Sequence, residues 1–242
     1  MTCGLSMPVY EQPALREALD GVLRPGGLAL TDEMVGAAAL PPGAQVLDVG
    51  CGVGTAVAYL RSRHRLDAVG VDASELLLDA GHKQAPEEVL IQAWGGQLPV
   101  AAGCLDAVLA ECSLSLMPDI DAVLAEFRRV LKPGGRLLWA DIYVRNTDAP
   151  APDRLRNPVS CLEGALTRAQ IEARLAAHAF EIDTWQDRSG AIKVFAARLI
   201  LAGISPQQFW GGSCEEGMAA LSRLQPGYFW LAASKAGQAE GD

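Results

Sequence analysis

The stretch Val46-Leu47-Asp48-Val49-Gly50-Cys51-Gly52-Val53-Gly54-Thr55 decides the fold. An apolar run ends in an acid, and three glycines then alternate with small residues. Glycine has no Cβ, so the backbone turns sharply here and a ligand can lie directly against it. The spacing is Asp-x-Gly-x-Gly-x-Gly. It differs from the Gly-x-Gly-x-x-Gly of dinucleotide-binding turns, which speaks against a nicotinamide oxidoreductase. The next apolar run, Leu66-Asp67-Ala68-Val69-Gly70-Val71, also ends in an acid, Asp72, 20 residues after Gly52. A carboxylate at that offset is placed for ribose hydroxyls, since each of its oxygens accepts. The plainer reading of Asp72 is a helix cap ahead of Ala73-Ser74-Glu75.

Outward from these runs, strand and helix alternate. Strands are expected over 45–49, 68–71, 89–93, 105–111 and 136–142. Helices are expected over 55–63, 74–83 and 120–131, the last ended by Lys132-Pro133-Gly134-Gly135. Such alternation with short links predicts an α/β fold: a doubly wound, mostly parallel sheet covered on both faces. Upstream, residues 14–23 have helical spacing, Arg24-Pro25-Gly26-Gly27 reads as a turn, and a second helix opens near Thr31 as its N-cap. Beyond Tyr143, residues 146–158 are rich in Pro, Asp and Asn and read as a loop. A helix capped by Thr167, a strand over 180–185, helices over 191–202 and 214–224, a turn at Pro226-Gly227 and a strand over 228–233 follow. The sheet then has seven strands. The expected organisation is an N-terminal helical lid, 1–40, on one compact domain, 41–242.

Bulk properties narrow the partners. Half of the 242 residues are hydrophobic, enough for a full core, and the net charge is −9. A strongly acidic chain argues against nucleic acid as the main partner, because phosphate binding needs a basic face. No run of 18 or more apolar residues marks a membrane span, and the first residues carry no basic and apolar leader pattern. The cytoplasm is the expected location. Six cysteines, at 3, 51, 104, 112, 161 and 214, form no Cys-x-x-Cys pair. That excludes a disulfide scaffold and a zinc ribbon, and no metal site is expected. No long heptad pattern points to a coiled-coil assembly, and the oligomeric state is not indicated.

The order of these motifs resembles that of the class I S-adenosylmethionine (SAM) methyltransferases across residues 40–235. Beside the first two motifs, the resemblance rests on Gln97-Leu98-Pro99-Val100 with Asp106-Ala107-Val108, and on Leu131-Lys132-Pro133-Gly134-Gly135-Arg136-Leu137. It implies a Rossmann-like fold, SAM as cofactor and methyl transfer to a small molecule by in-line displacement. It also implies residue roles. Gly50, Cys51, Gly52 and Gly54 would carry the methionine part of SAM, and Asp48 would bond its amino group or brace the loop from beneath. Asp72 would hold the ribose, and Ala73 and Glu111 would complete the cofactor-binding set. The loop after the third strand would face adenine, and there this chain departs from the pattern. Many relatives place an Asp four residues before the Leu-Pro pair, where this sequence has Trp94, followed by Gly95 and Gly96. An indole cannot accept a hydrogen bond, although it can stack on the ring, and the Gly95 N–H can donate to a ring nitrogen. Trp94 reads equally as a packed core or lid aromatic.

The acceptor is less legible. Sulfonium chemistry demands placement more than a base, so no catalytic triad is expected. The acceptor-facing segment is Glu111-Cys112-Ser113-Leu114-Ser115-Leu116-Met117-Pro118, with Cys112 and Ser113 as candidate catalytic residues. A Pro-Pro-Tyr-type motif, common in methyltransferases acting on nucleic-acid or protein nitrogen, is absent there. His64, His82 and His178 fall in expected helices and read as surface residues. Ser160-Cys161-Leu162-Glu163-Gly164-Ala165 resembles a cysteine-bearing segment of arsenite methyltransferases, and Cys214 follows 53 residues later. That resemblance implies a soft thiolate site for a metalloid, with Cys161 and Cys214 as further catalytic candidates. Val57 stands near the position of that family's third cysteine, and the plainer reading of both thiols is ordinary buried core filler. Tyr10, Thr31, Arg154 and Arg156 are the lid residues expected to frame the mouth. A SAM-binding protein without turnover is the remaining alternative.

Overall fold

Apolar residues in the strands alternate between two core layers. Val46 packs into one and Leu47 into the other. Leu138 and Ala140 face the first while Leu137 and Trp139 face the second, and Tyr228, Trp230 and Ala232 alternate likewise with Phe229, Leu231 and Ala233. A strand with apolar residues at every position needs cover on both sides. The computed structural model, which describes residues 9–146, 161–205, 209–210 and 224–236, has that cover.

The elements in chain order are α1 (Pro13–Ala18), α2 (Gly27–Ala38), β1 (Gln45–Val49), α3 (Thr55–His64), β2 (Asp67–Asp72), α4 (Glu75–Gln84), β3 (Leu90–Gln92), β4 (Leu105–Glu111), α5 (Ile120–Val130), β5 (Leu131–Val144), β6 (Leu166–Thr167), α6 (Arg168–Ala177), β7 (Phe180–Asp187), α7 (Gly190–Leu201) and β8 (Pro226–Lys235). Seven strands run in the order β3-β2-β1-β4-β5-β8-β7, and the two-residue β6 pairs with β5 off that path. From β3 to β5 every pairing is parallel, whereas β8 lies antiparallel between β5 and β7. The winding reverses where β1 lies between β2 and β4. In doubly wound sheets that reversal opens a crevice at the carboxyl ends of the strands, which is where ligands sit.

Leu30, Met34 and Val35 of α2 and Val57 and Leu60 of α3 fill one layer; Leu124 and Phe127 of α5 and Ile171 and Leu175 of α6 fill the other. The first forty residues therefore divide. α2 belongs to the core layer, whereas α1 joins a third cluster, Leu15 and Leu19 against Phe195, Leu199 and Phe209. That cluster ties the N-terminal segment to α7. No helix among the described residues is long and apolar enough to cross a membrane.

Several boundaries differ from the sequence reading, each for a local reason. α2 opens at Gly27, behind Gly26 at φ +81°, and not near Thr31. Thr31 is thus inside the helix, and its hydroxyl is free for a partner outside it. β5 opens at Leu131, because Leu105 pairs with Leu131 before Ala107 pairs with Arg136. The Lys132–Gly135 turn is a bulge within the strand. β8 opens at Pro226, opposite Val144, and Gly227 lies so close to the Tyr143 ring that a Cβ would collide with it. Thr167 caps α6 as expected, with Gln170 completing a capping box. Of the helix expected over 214–224, only Leu224 is among the described residues.

Asp141, near the end of β5, fixes the segment that underlies the crevice. Its carboxylate accepts from Ser115 N at 3.0 Å, Ser115 Oγ at 2.7 Å, Ile142 N at 2.8 Å and Trp139 Nε1 at 3.4 Å. Burial pushes its pKa up while these bonds pull it down. Asp141→Ala strands several buried donors at once and is expected to lower the unfolding free energy by about 3 kcal/mol in urea denaturation, with Asp141→Asn between it and wild type.

Candidate active site

A cavity of about 460 Å³ lies in the crevice, within the range of small-molecule sites. Its floor is the glycine turn and the ends of β2 and β4. Tyr10, Glu11, Arg16, Gly21, Leu23 and Arg24 of the N-terminal segment also line it.

The turn is held from both sides. Gly50 N and Cys51 N donate to Val71 O at 2.8 and 3.1 Å, which pins it to β2. Gly50 has φ +84°, and a Cβ there would collide with the Ser113 side chain at the end of β4. Glycine is therefore required by backbone and by space. Asp72 completes the hold: Oδ2 accepts from Gly52 N at 2.8 Å and Oδ1 from Ser74 N at 2.9 Å. Each oxygen retains a second acceptor site, and the carboxylate lines the cavity. Burial raises its pKa against the pull of those N–H groups. The helix cap here is Ser74, whose hydroxyl accepts from Leu77 N at 3.2 Å and donates to Glu11 at 2.7 Å.

At the end of β4, Arg24 pairs with Glu111 at 2.7 Å, with side-chain exposures of 11% and 3%. Thr31 Oγ accepts from Arg24 at 2.8 Å and donates to Glu111 at 3.1 Å. The N-terminal segment is thereby fastened to the sheet by a buried charge pair. Asp48 lies beneath the turn, 4% exposed, with no hydrogen bond to its carboxylate among the described residues. Burial, then the Glu111 carboxylate, pushes its pKa up to about 8, while Arg24 opposes that rise.

The sequence-derived residues separate by position. Gly50, Cys51, Gly52, Asp72, Ala73, Trp94, Gly95, Glu111, Cys112 and Ser113 line the cavity. Asp48 and Gly54 stand behind its wall; Gly54 caps α3 and packs on Leu90. Trp94 is 64% exposed at the rim, which excludes the packed-core reading, and Gly95 lies against Met117. The Ser113 hydroxyl donates to Val49 O at 2.6 Å, and Ser115 is bound to Asp141. Cys112, at φ +54°, has its sulfur 3.1 Å from Tyr228 Oη, and burial holds its thiol well above the ordinary range. Cys161 is buried, does not line the cavity, and has its thiol pushed up to about 12 by burial. Burial thus disfavours at both positions the thiolate form that binds soft ions. Cys214, Arg154 and Arg156 lie outside the described residues. His64 pairs with Asp32 at 2.7 Å and His178 with Asp121 at 3.2 Å, and neither lines the cavity.

The sequence reading missed Glu11, Arg16 and Arg24. Arg24 belongs to a Leu-Arg-Pro-Gly-Gly turn, and nothing local distinguishes a buried arginine there from a solvated one. The available signal was Glu111, an acid closing an apolar strand and requiring a counter-charge.

Residues 47–139 match a family described as "Methyltransferase domain". An arsenite methyltransferase from Aquipseudomonas alcaligenes is 31% identical over 72% of this chain and 54% of its own length. Among solved structures, the [4+2]-cyclase SpnF superposes with a TM-score of 0.74 at 24% identity, covering 96% of this chain and 95% of that one. A geranyl diphosphate methyltransferase in complex with SAM gives 0.72 at 18% identity, covering 97% and 93%. These two establish the fold alone. The chain spans 28–47% of the length of the first three curated relatives it matches.

Removing one member of the buried pair leaves the other uncompensated. Arg24→Met is expected to cost about 3 kcal/mol in chemical denaturation, and Arg24→Met with Glu111→Gln to recover most of that loss. Asp48 gives a pH signature. Its folded-state pKa, about 8 against an ordinary 3.8, means that the folded protein holds a proton which the unfolded chain has released. Stability therefore falls as pH rises from roughly 4 to 8 and levels off above. Asp48→Asn should flatten that slope, so its melting temperature drops less than that of wild type between pH 5 and 8.

Proposed function

The chain belongs to the class I SAM-dependent methyltransferases, and on that premise we propose that it transfers the methyl group of SAM to a small-molecule acceptor. The observation that carries the reading is the cavity where β1, β2 and β4 end, with Asp72 braced beside an open glycine turn. A Cβ at Gly52 would meet nothing within 4 Å, so the backbone there is accessible to a ligand. The carboxylates of Glu11 and Asp72 in the wall suit a cationic sulfonium.

Asp72 would accept from the ribose hydroxyls, the exposed Trp94 would offer its face to adenine, and Gly50–Gly52 would carry the methionine portion. When bound, SAM supplies a methyl carbon whose bond to sulfur breaks as the acceptor's lone pair bonds to it, the electron pair remaining on sulfur. The protein's contribution is to hold the acceptor in line and exclude water. Leu23, Leu116 and Met117 make part of the wall apolar, and Glu111 in it is already paired with Arg24. No histidine of the described residues lines it. This favours a largely apolar acceptor that arrives with its lone pair available and needs no base. The segment up to Arg24 would act as the lid. The net charge of −9 supports a small molecule over nucleic acid, and free thiols at Cys51, Cys104, Cys112 and Cys161 fit a reducing cytoplasm.

Titration calorimetry with SAM and with S-adenosylhomocysteine tests the reading. Wild type should bind both, and Asp72→Ala should weaken both by roughly tenfold or more, the loss of hydrogen bonds to a charged acceptor. A folded wild type that binds neither ends the proposal.

A further inference from the structure

The cavity wall draws on three regions. Asp72, Ala73, Trp94 and Gly95 lie at the ends of β2 and β3, and Cys112, Leu116 and Met117 follow β4. The third region is where α1 and the residues after it meet the glycine turn: Arg16, Gly21, Gly52 and Val53. Arg16, Gly21 and Val53 also line an adjoining recess of about 270 Å³, so Arg16 stands in a wall common to both spaces.

Among the described residues two cations line the cavity, and they differ. Arg24 is paired with Glu111 at 2.7 Å. Arg16 is half-buried and donates from Nη1 to the backbone oxygen of Glu11 at 2.7 Å, and no carboxylate among the described residues pairs with it. That bond fixes the guanidinium and leaves its other donors available. The backbone that carries Arg16 is itself anchored, because Gly21 N donates to Arg16 O at 2.8 Å. A cavity whose wall also holds the carboxylates of Glu11 and Asp72 disfavours a ligand carboxylate everywhere except beside such a cation.

We infer that Arg16 is the counter-ion for the carboxylate at the amino-acid end of the cofactor, an inference that rests on the methyltransferase reading above. Asp72 and Trp94 take the nucleoside end, and the region after β4 takes the acceptor. The amino-acid end is left for the glycine turn and the wall beyond it, where Arg16 stands. The planar guanidinium matches a carboxylate with two parallel donors, which an ammonium cannot do. Arg16 is a binding residue in this account and takes no part in bond making.

The test compares S-adenosylhomocysteine with 5′-methylthioadenosine, which keeps adenine, ribose and sulfur but lacks the amino-acid end. Wild type, Arg16→Gln and Arg16→Lys are titrated with both. Arg16→Gln should lose about tenfold affinity for S-adenosylhomocysteine and change little for methylthioadenosine, with Arg16→Lys between. Binding of methylthioadenosine also shows that each variant is folded. Equal losses on both ligands would overturn the inference, since they would mean that Arg16 braces the segment around Glu11. So would unchanged binding of S-adenosylhomocysteine by Arg16→Gln. Wild type binding neither ligand would sink the methyltransferase reading itself, a result distinct from either.

Discussion

The contact between Gly50 and Ser113 sets how closely two neighbouring strands approach at their carboxyl ends. β1 and β4 diverge in connection there, because one continues into α3 and the other into the turn before α5. Ser113 fills the space that a Cβ at Gly50 would occupy, and its hydroxyl bonds Val49 O. The glycine turn is thus clamped between β2, through Val71 O, and β4, through Ser113. Asp72 adds its bond to Gly52 N. A turn so constrained presents its open face in one fixed arrangement, and the cavity inherits that rigidity.

Against this fixed floor, the roof is held by different forces. The apolar cluster of α1 with α7 supplies adhesion without direction. Direction comes from polar contacts: Glu11 on Ser74, and Arg24 on Glu111 and Thr31. The first two join the N-terminal segment to the ends of β2 and β4 beside the cavity, and Thr31 ties α2 into the same contact. The buried pair is costly to desolvate, so its value lies in fixing where the segment sits more than in net stability. Asp48, beneath the turn, feels the same charges, since Glu111 raises its pKa and Arg24 lowers it.

The parallel half of the sheet was legible because its strands obey two local rules. Their apolar residues fill both faces, and their acids stand at the carboxyl ends, as Asp48, Asp72 and Glu111 do. Boundaries failed where pairing overrode local signals. Pro133-Gly134-Gly135 reads as a stop, yet β4 draws Leu131 into register before it. Pro226-Gly227 reads as a turn, yet β5 pairs with both. Thr31 has a capping side chain, but Gly26 already turns the chain, and the hydroxyl serves Arg24 and Glu111 instead. In each case a residue's local preference was satisfied by a partner that only the folded sheet brings near.

The site follows the same division. Residues whose role depends on the backbone were visible, because glycine spacing and an acid at a strand end constrain conformation as well as chemistry. Residues whose role depends on a distant partner were not. Arg16 and Arg24 lie eight residues apart in one segment, and only the burial of Glu111 separates the paired arginine from the unpaired one. The acceptor side left the faintest trace for a chemical reason. Displacement at a sulfonium asks for alignment and a dry pocket, and many combinations of apolar side chains provide both. Selection for such a pocket leaves no fixed spacing of titratable groups. The Glu111 carboxylate is occupied with Arg24 and the Cys112 thiol lies beside Tyr228, so in the proposed reading shape is left to discriminate one acceptor from another.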